Sequence, residues 1–401
     1  MSKKKIVFIC ETATLAHPSR SLTLAASLNP SQYEVVFYAD THYDALLSHI
    51  SSVRHENITS TSPALFAKRL AKGEPLYNTE TIKAYLVAEK AILEREKPDL
   101  VVGDFRITLQ ISARLQNVPY LNIADAHWSP HAQRRYRIPP LPIAKIIGYK
   151  AGDFMLNLFS PLLIGAHARP MNEVRKMYGL PSLGNRLEDV YTQADYVAYC
   201  EPPSLYPLPG LPQTHRYIGP VLWSPDMALP PWWGDIPRDK PVVYINLGSS
   251  GNKSFLPELC KALAVRDFCT LIVATATNED MPELTEFTPY TARYLPSNEG
   301  AKIADIMICN GGTPSTMLGV MNSAYCIGVA ANMDQLLNMD YIESAGLGRS
   351  FRADRQFIRD IVETCARQPV LPENKLAALR KEYETLCPKL RFPAFVENIV
   401  S

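Results

Sequence analysis

His17 lies in the run Glu11-Thr12-Ala13-Thr14-Leu15-Ala16-His17-Pro18-Ser19-Arg20, between an apolar stretch at 6–10 and a helical Ser-Leu-Thr-Leu-Ala at 21–25. This places it in a strand-to-helix loop. Imidazole titrates near neutrality, which suits a general base acting on a hydroxyl. A loop histidine on its own reads more simply as a capping or solvated residue. Asp104, which follows the apolar Leu100-Val101-Val102 and Gly103, gives His17 a partner. Neighbouring parallel strands bring their carboxyl ends together. An Asp on the far imidazole nitrogen then fixes the tautomer and stabilises the imidazolium formed on proton abstraction. The plainer reading of Asp104 is an N-cap for a helix starting near Arg106.

Three loops in the second half carry a different chemistry. Gly248-Ser249-Ser250-Gly251-Asn252 follows an apolar run at 242–247. Small residues there admit a phosphate close to the backbone, with hydroxyls as extra donors. Asn310-Gly311-Gly312-Thr313-Pro314-Ser315-Thr316 follows the run at 305–309 and opens a helical segment, a fitting site for a diphosphate. Asn332-Met333-Asp334-Gln335 follows 325–329. Asp and Gln together offer acceptors and donors for sugar hydroxyls, although Asp334 also reads as a helix N-cap. No G-x-G-x-x-G occurs in the first loop and no Walker A motif anywhere, which disfavours NAD and P-loop nucleotide sites.

These loops need strands behind them. Short Val-, Ile- and Tyr-rich runs at 6–10, 35–39, 100–102, 120–123 and 196–199 alternate with helical segments at 21–28, 79–96 and 107–116. The rhythm restarts with strands at 242–247, 270–274, 305–309 and 325–329 and helices at 255–265, 315–320 and 335–343. Such alternation predicts parallel βαβ units, whose ligands sit beyond the carboxyl ends of the strands. The 401 residues suit two domains, and the 47% hydrophobic content excludes general disorder. Of 33 prolines, eleven fall between 202 and 241, marking a linker between an N-terminal half that holds all eight histidines and a C-terminal half that holds none. With 41 basic against 40 acidic residues there is no global charge for nucleic acid. The eight cysteines form no C-x-x-C pair, which argues against a zinc site or disulfide framework. No apolar run approaches a membrane span, so a cytoplasmic protein is expected.

Taken together, these residues resemble the two-domain GT-B nucleotide-sugar glycosyltransferases, in the branch of UDP-glycosyltransferases and macrolide glycosyltransferases. The match covers most of the chain. Ala16-His17-Pro18-Ser19-Arg20-Ser21-Leu22-Thr23-Leu24-Ala25 is similar to the family's Gly-His-x-x-Pro and Leu-x-Leu-Ala signature. Tyr217-Ile218-Gly219-Pro220 resembles the entry to the linker, and Tyr294-Leu295-Pro296 the element that stacks on the nucleotide base. The resemblance implies two Rossmann-like doubly wound domains facing across a cleft. It divides the chain into an acceptor domain (1–215), a linker (216–240), a donor domain (241–388) and a terminal helix returning to the first domain (389–401). It assigns His17 and Asp104 to catalysis. It assigns Ser249, Ser250, Tyr294, Asn310, Gly311, Gly312, Thr313, Ser315, Thr316, Asp334 and Gln335 to the donor. The implied reaction is an inverting, metal-independent transfer of a sugar to a hydroxyl, with UDP-sugar as first expectation, dTDP-sugar next and no cofactor beyond that co-substrate. The linker would let the domains close on the donor. Two positions depart from the pattern: Asn310 replaces the diphosphate histidine, and Leu318 stands where a ribose-binding glutamate is usual.

For the acceptor, His127 and Trp128 are candidates to line an aromatic pocket, while each also reads as structural. No acidic residue occurs between Asp125 and Asp153, where Arg134, Arg135, Arg137, Lys145 and Lys150 precede the apolar run Phe154-Met155-Leu156-Asn157-Leu158-Phe159. The favoured reading is a solvated basic loop above a core helix; the other is peripheral contact with a membrane or a lipid-like acceptor. Two rival functions share this architecture: a UDP-N-acetylglucosamine 2-epimerase, and a non-catalytic glycosyltransferase-like auxiliary protein.

Overall fold

The computed structural model describes residues 3–47, 50, 53–276, 281–354 and 357–401. The first apolar run forms β1 (Lys4–Cys10), whose residues Ile6 to Cys10 are wholly buried. It pairs in parallel with β2 (Tyr33–Ala39) on one side. Beyond β2 lies the edge strand β3 (Arg54–Asn57). On the other side β1 pairs with β4 (Leu100–Asp104), followed by β5 (Tyr120–Ala124), β6 (Tyr196–Tyr199) and β7 (His215–Tyr217). The sheet order β3-β2-β1-β4-β5-β6-β7 reverses between β1 and β4, the kind of switch point that opens a crevice for ligands. Register matters here. Cys10 lies opposite Asp104, and the Glu11 N–H donates to the Asp104 carbonyl at 3.0 Å, so the chain leaving β1 is tied beside the end of β4.

The second sheet has the order β10-β9-β8-β11-β12-β13, formed by β8 (Val242–Asn246), β9 (Thr270–Ala274), β10 (Thr291–Ala292), β11 (Ile306–Cys309), β12 (Tyr325–Ala330) and β13 (Gly348–Arg352). Alternate residues face opposite sides. Val243, Ile245, Val273, Ile308 and Ile327 belong to one core. Val242, Tyr244, Ile272, Met307 and Cys309 belong to the other. Both faces are covered, which is why these strands read as continuous apolar runs instead of alternating ones. Cys309 is level with Asn246 on one neighbour and Gly328 on the other, so the loops after β8, β11 and β12 leave the sheet side by side.

The chain divides into two compact units. One comprises residues 1–134, 154–221 and 383–401, the other 135–153 and 222–382. Residues 135–153, placed by sequence in the first domain, group with the second unit for electrostatic reasons. Arg352 Nη2 donates to both Asp153 carboxylate oxygens at 2.7 and 2.9 Å, Arg137 pairs with Asp340 at 3.1 Å, and the Tyr149 hydroxyl donates to Asp354 at 3.0 Å. The terminal helix Pro388–Val400 belongs to the first unit, where Phe392 is fully buried with its ring 6.0 Å from that of Phe8. One expectation fails: the run at 154–159 is not a core helix. Phe154, Met155, Leu158 and Phe159 are exposed, and only Leu156 is buried. No helix among the described residues is long and apolar enough to cross a membrane.

Candidate active site

In the first unit, His17 is the second residue of the helix Ala16–Ala25. The helix starts earlier than the sequence suggests, so His17 is helical and not in the loop. That placement has a consequence. His17, Arg20 and Ser21 stand at i, i+3 and i+4, one face of a helix, and all three side chains converge on Asp104. His17 Nδ1 lies 2.9 Å from Asp104 Oδ1. Arg20 grips the same carboxylate through Nε (2.8 Å, Oδ2) and Nη2 (2.7 Å, Oδ1), and the Ser21 hydroxyl donates to Oδ2 at 3.2 Å. Asp104 is not the cap of a following helix; it ends β4, buried. Burial alone would raise its carboxyl, but the Arg20 guanidinium outweighs it and holds the group below the usual carboxylate range.

Arg20, Asp125 and Glu201 are the residues that sequence reasoning missed. Arg20 reaches past Asp104 to donate to Asp125 at 2.7 Å through Nη1. Burial pushes Asp125 up, and Arg20 more than reverses this, so Asp125 stays ionised. Glu201 is wholly buried, and burial together with the Asp125 charge drives its carboxyl well above the ordinary value. Its Oε2 accepts the Ala126 N–H at 3.0 Å, and its Oε1 is buried without a hydrogen-bond partner among the described residues. The only sequence signal for this chain of charges is the His-x-x-Arg-Ser spacing, legible once the helix is known to begin at Ala16.

Phe105, immediately after Asp104, has φ of 52°, in the left-handed region. A non-glycine residue there costs roughly 1–2 kcal/mol, strain of the kind that gathers at functional sites. The twist lays its ring on the His17 imidazole, with centroids 5.0 Å apart and planes within 8°. The wall continues through Tyr191, edge-on to Phe105 at 5.2 Å, to Trp128, edge-on to Tyr191 at 4.9 Å. Trp128, itself buried, is thus joined to the site by packed rings, and the buried His127 ring lies 6.1 Å from that of Trp128. A small apolar cavity beside this wall is lined by Tyr77, Ile107, His167, Met171, Val190 and Tyr191 among others, and neither His127 nor Trp128 lines it.

In the second unit, Gly248 and Gly311 adopt φ of 62° and 82°. Asn310 couples their loops: its Nδ2 donates to the Ser250 hydroxyl at 3.0 Å and its Oδ1 accepts from the Gly312 N–H at 3.0 Å. The helix Thr313–Met321 begins at Gly312 with no side-chain cap, which leaves its N-terminal turn open to an anion. The hydroxyls of Thr313 and Thr316 are turned inward. Thr313 donates to Asn338 Oδ1 (3.3 Å), and Thr316 donates to the Gly312 carbonyl (3.1 Å). Asn338 in turn donates to the Gly311 carbonyl at 2.7 Å, tying the glycine loop to the next helix. That helix, Met333–Ser344, is capped by Asn332 and not by Asp334. Gln335 is buried, with its Oε1 accepting from the Ala331 N–H at 2.7 Å, while Asp334 and Tyr294 are half-buried. Leu318 packs in the core with Tyr244 and Leu295.

No family model matches the chain. It is 39% identical over 353 residues to a PGL/p-HBAD biosynthesis glycosyltransferase of Mycobacterium tuberculosis (strain H37Ra), covering 88% of this chain and 82% of the relative. It is 38% identical over 396 residues to a PGL/p-HBAD biosynthesis rhamnosyltransferase of Mycobacterium bovis (strain BCG), covering 99% and 87%. An inactive PGL/p-HBAD biosynthesis glycosyltransferase of the same strain is 42% identical over 261 residues, 65% of this chain and 71% of the relative. Among solved structures, the calicheamicin glycosyltransferase CalG4 has a TM-score of 0.71 at 17% identity, over 100% of this chain and 99% of that one. The spinosyn rhamnosyltransferase SpnG complexed with thymidine diphosphate has a TM-score of 0.57 at 15% identity, over 98% and 96%. The two sheets are those of a GT-B fold, the relatives are transferases and not epimerases, and the chain belongs to the PGL/p-HBAD biosynthesis glycosyltransferases.

Proposed function

We propose that the chain transfers a sugar, with inversion and without a metal, from a nucleoside diphosphate sugar to a hydroxyl of an aromatic or apolar small molecule. The observation that carries this reading is the 2.9 Å contact between His17 Nδ1 and Asp104. With its Nδ1–H given to Asp104, the imidazole keeps a lone pair on Nε2. That nitrogen takes the proton of the acceptor hydroxyl as its oxygen attacks the anomeric carbon. The bond from that carbon to the diphosphate oxygen breaks on the opposite face, so configuration inverts. The leaving diphosphate is received by the uncapped helix start at Gly312 and by the loops holding Ser249, Ser250 and Asn310. Asp334 and the amide NH₂ of Gln335 are the groups offered to the sugar hydroxyls.

A dTDP-sugar suits these residues better than a UDP-sugar. Leu318, buried in the core, offers no acceptor to a ribose hydroxyl. A deoxyribose has one hydroxyl fewer to satisfy, and a neighbour of the same fold is complexed with thymidine diphosphate. The inactive relative gives the rival, an auxiliary protein without turnover, a concrete form; the assembled His17–Asp104 pair favours the active reading. A thermal-shift panel with dTDP, UDP and GDP tests donor binding and base identity together. At a hundredfold excess over Kd a bound nucleotide adds about 2.7 kcal/mol of stability. The expected order is dTDP, then UDP, then GDP; no shift with any of the three contradicts the proposal.

A further inference from the structure

Asp104 and Phe105 are consecutive residues, and both side chains meet the His17 imidazole. Asp104 holds Nδ1 at 2.9 Å, and Phe105 covers a ring face, with centroids 5.0 Å apart and planes within 8°. Extended chain does not allow this. Successive side chains of a strand point to opposite faces, so a residue continuing β4 would turn away from the side that Asp104 serves. The left-handed φ of 52° at Phe105 breaks the alternation and returns its ring to the imidazole. The strained residue is pinned on both sides. Before it, the Asp104 carbonyl accepts the Glu11 N–H at 3.0 Å. After it, the fully buried Arg106 donates through Nε to Glu89 at 2.7 Å and through Nη1 to the Thr59 carbonyl at 3.1 Å. Strain held this firmly points to a use.

The use follows from what one hydrogen bond leaves undone. The contact from Nδ1 to Asp104 fixes one edge of the imidazole but lets the ring turn about that line, which would swing Nε2 off any fixed target. A flat ring against the imidazole face removes that freedom. Phe105 is held in turn by Tyr191, edge-on at 5.2 Å, and by Phe66, edge-on at 6.2 Å. Tyr77 packs on it at 6.2 Å, with its own hydroxyl donating to the buried Glu11 at 2.7 Å. All of these residues belong to the first unit. We propose that Phe105 is a positioning residue that aims Nε2 of His17 at the acceptor hydroxyl, an inference that rests on His17 being the base. Asp104 sets the tautomer and Phe105 sets the ring plane.

Phe105→Leu keeps apolar bulk without a flat face, and Phe105→Tyr keeps the face. With a dTDP-hexose and alkylphenol acceptors, Phe105→Leu should lower kcat about tenfold, because a small misplacement of a reacting group is costly. The acceptor KM and the dTDP thermal shift should hold, and Phe105→Tyr should restore kcat. A residue that only supports the fold would not split kcat from KM in this way. The stack itself is read by NMR of the histidine rings, with His17 assigned by its loss in His17→Ala. The His17 ring protons of the wild type should lie upfield of an unstacked histidine, displaced by the Phe105 ring current, and should move downfield in Phe105→Leu. The proposal is overturned by a wild-type kcat in Phe105→Leu, or by a loss that falls on the acceptor KM instead. It is overturned equally by wild-type His17 ring protons at the position of an unstacked histidine. His17→Ala at the wild-type rate would remove the base assignment and this proposal with it. An impaired His17→Ala beside an unimpaired Phe105→Leu would remove the role of Phe105 alone.

Discussion

At the scale of single residues, the site is a chain of polar side chains: His17 on Asp104, Asp104 on Arg20, Arg20 on Asp125, with the buried Glu201 on the Ala126 N–H beside Asp125. Arg20 is central because it holds the buried Asp104 and the partly buried Asp125 in their ionised forms, and a buried carboxylate without a partner would take up a proton instead. An ionised Asp104 can accept from His17 Nδ1–H; a neutral one would compete for the same nitrogen. Glu201 carries a pH signature of its own. Its carboxyl is raised in the folded protein, so above the unfolded value near 4.3 the folded chain holds a proton that the unfolded chain has lost. Stability attributable to this group therefore falls as pH rises. Asp104 and Asp125, both lowered, act in the opposite sense, contributing stability at neutral pH that is lost on acidification below about pH 4. Glu201→Gln keeps the shape and the acceptor for the Ala126 N–H and removes the titration. Melting temperatures compared between pH 5 and pH 8 should show the variant gaining on wild type as pH rises, by up to about 1.4 kcal/mol per pH unit. Equal pH slopes in the two proteins would mean that Glu201 is already ionised.

At the scale of elements, strand register positions everything. Cys10 opposite Asp104 brings the start of one helix to the end of β4, and Cys309 level with Asn246 and Gly328 sets the loops after β8, β11 and β12 abreast. The central strands were legible because both of their faces are buried, leaving unbroken apolar runs. The edge strand β3 was not, because Arg54 to Asn57 are all exposed and only backbone pairing defines the strand. β13 was hidden for another reason: it contains Arg349 and Arg352, and Arg352 is buried only because Asp153 neutralises it. His17 and Asp104 could be paired from their places after two strands. The Arg20 clamp could not, since it depends on where the helix begins. The exposed run at 154–159 was misread because an apolar helix reads the same in sequence whether its side chains meet a core or solvent. Gly311 tests the donor loop. Its φ is 82°, and a Cβ added there would lie only 2.8 Å from Met339 Cγ. Gly311→Ala should therefore cost about 1–3 kcal/mol of stability and weaken the dTDP thermal shift. An unchanged shift would remove this loop from the donor site.

At the scale of the whole molecule, each unit carries one cluster: an imidazole held by a buried carboxylate among aromatic rings in the first, and glycine loops with an open helix start in the second. The proposed transfer needs both, and a relative named as inactive makes turnover the property to test. The decisive measurement is therefore the release of nucleotide from a dTDP-hexose in the presence of alkylphenol acceptors, comparing wild type with His17→Ala. Turnover should fall by about 10²–10⁴-fold, the usual contribution of a positioned general base, while the dTDP thermal shift stays at its wild-type value. A His17→Ala variant that turns over at the wild-type rate would contradict the assignment of His17 as the base.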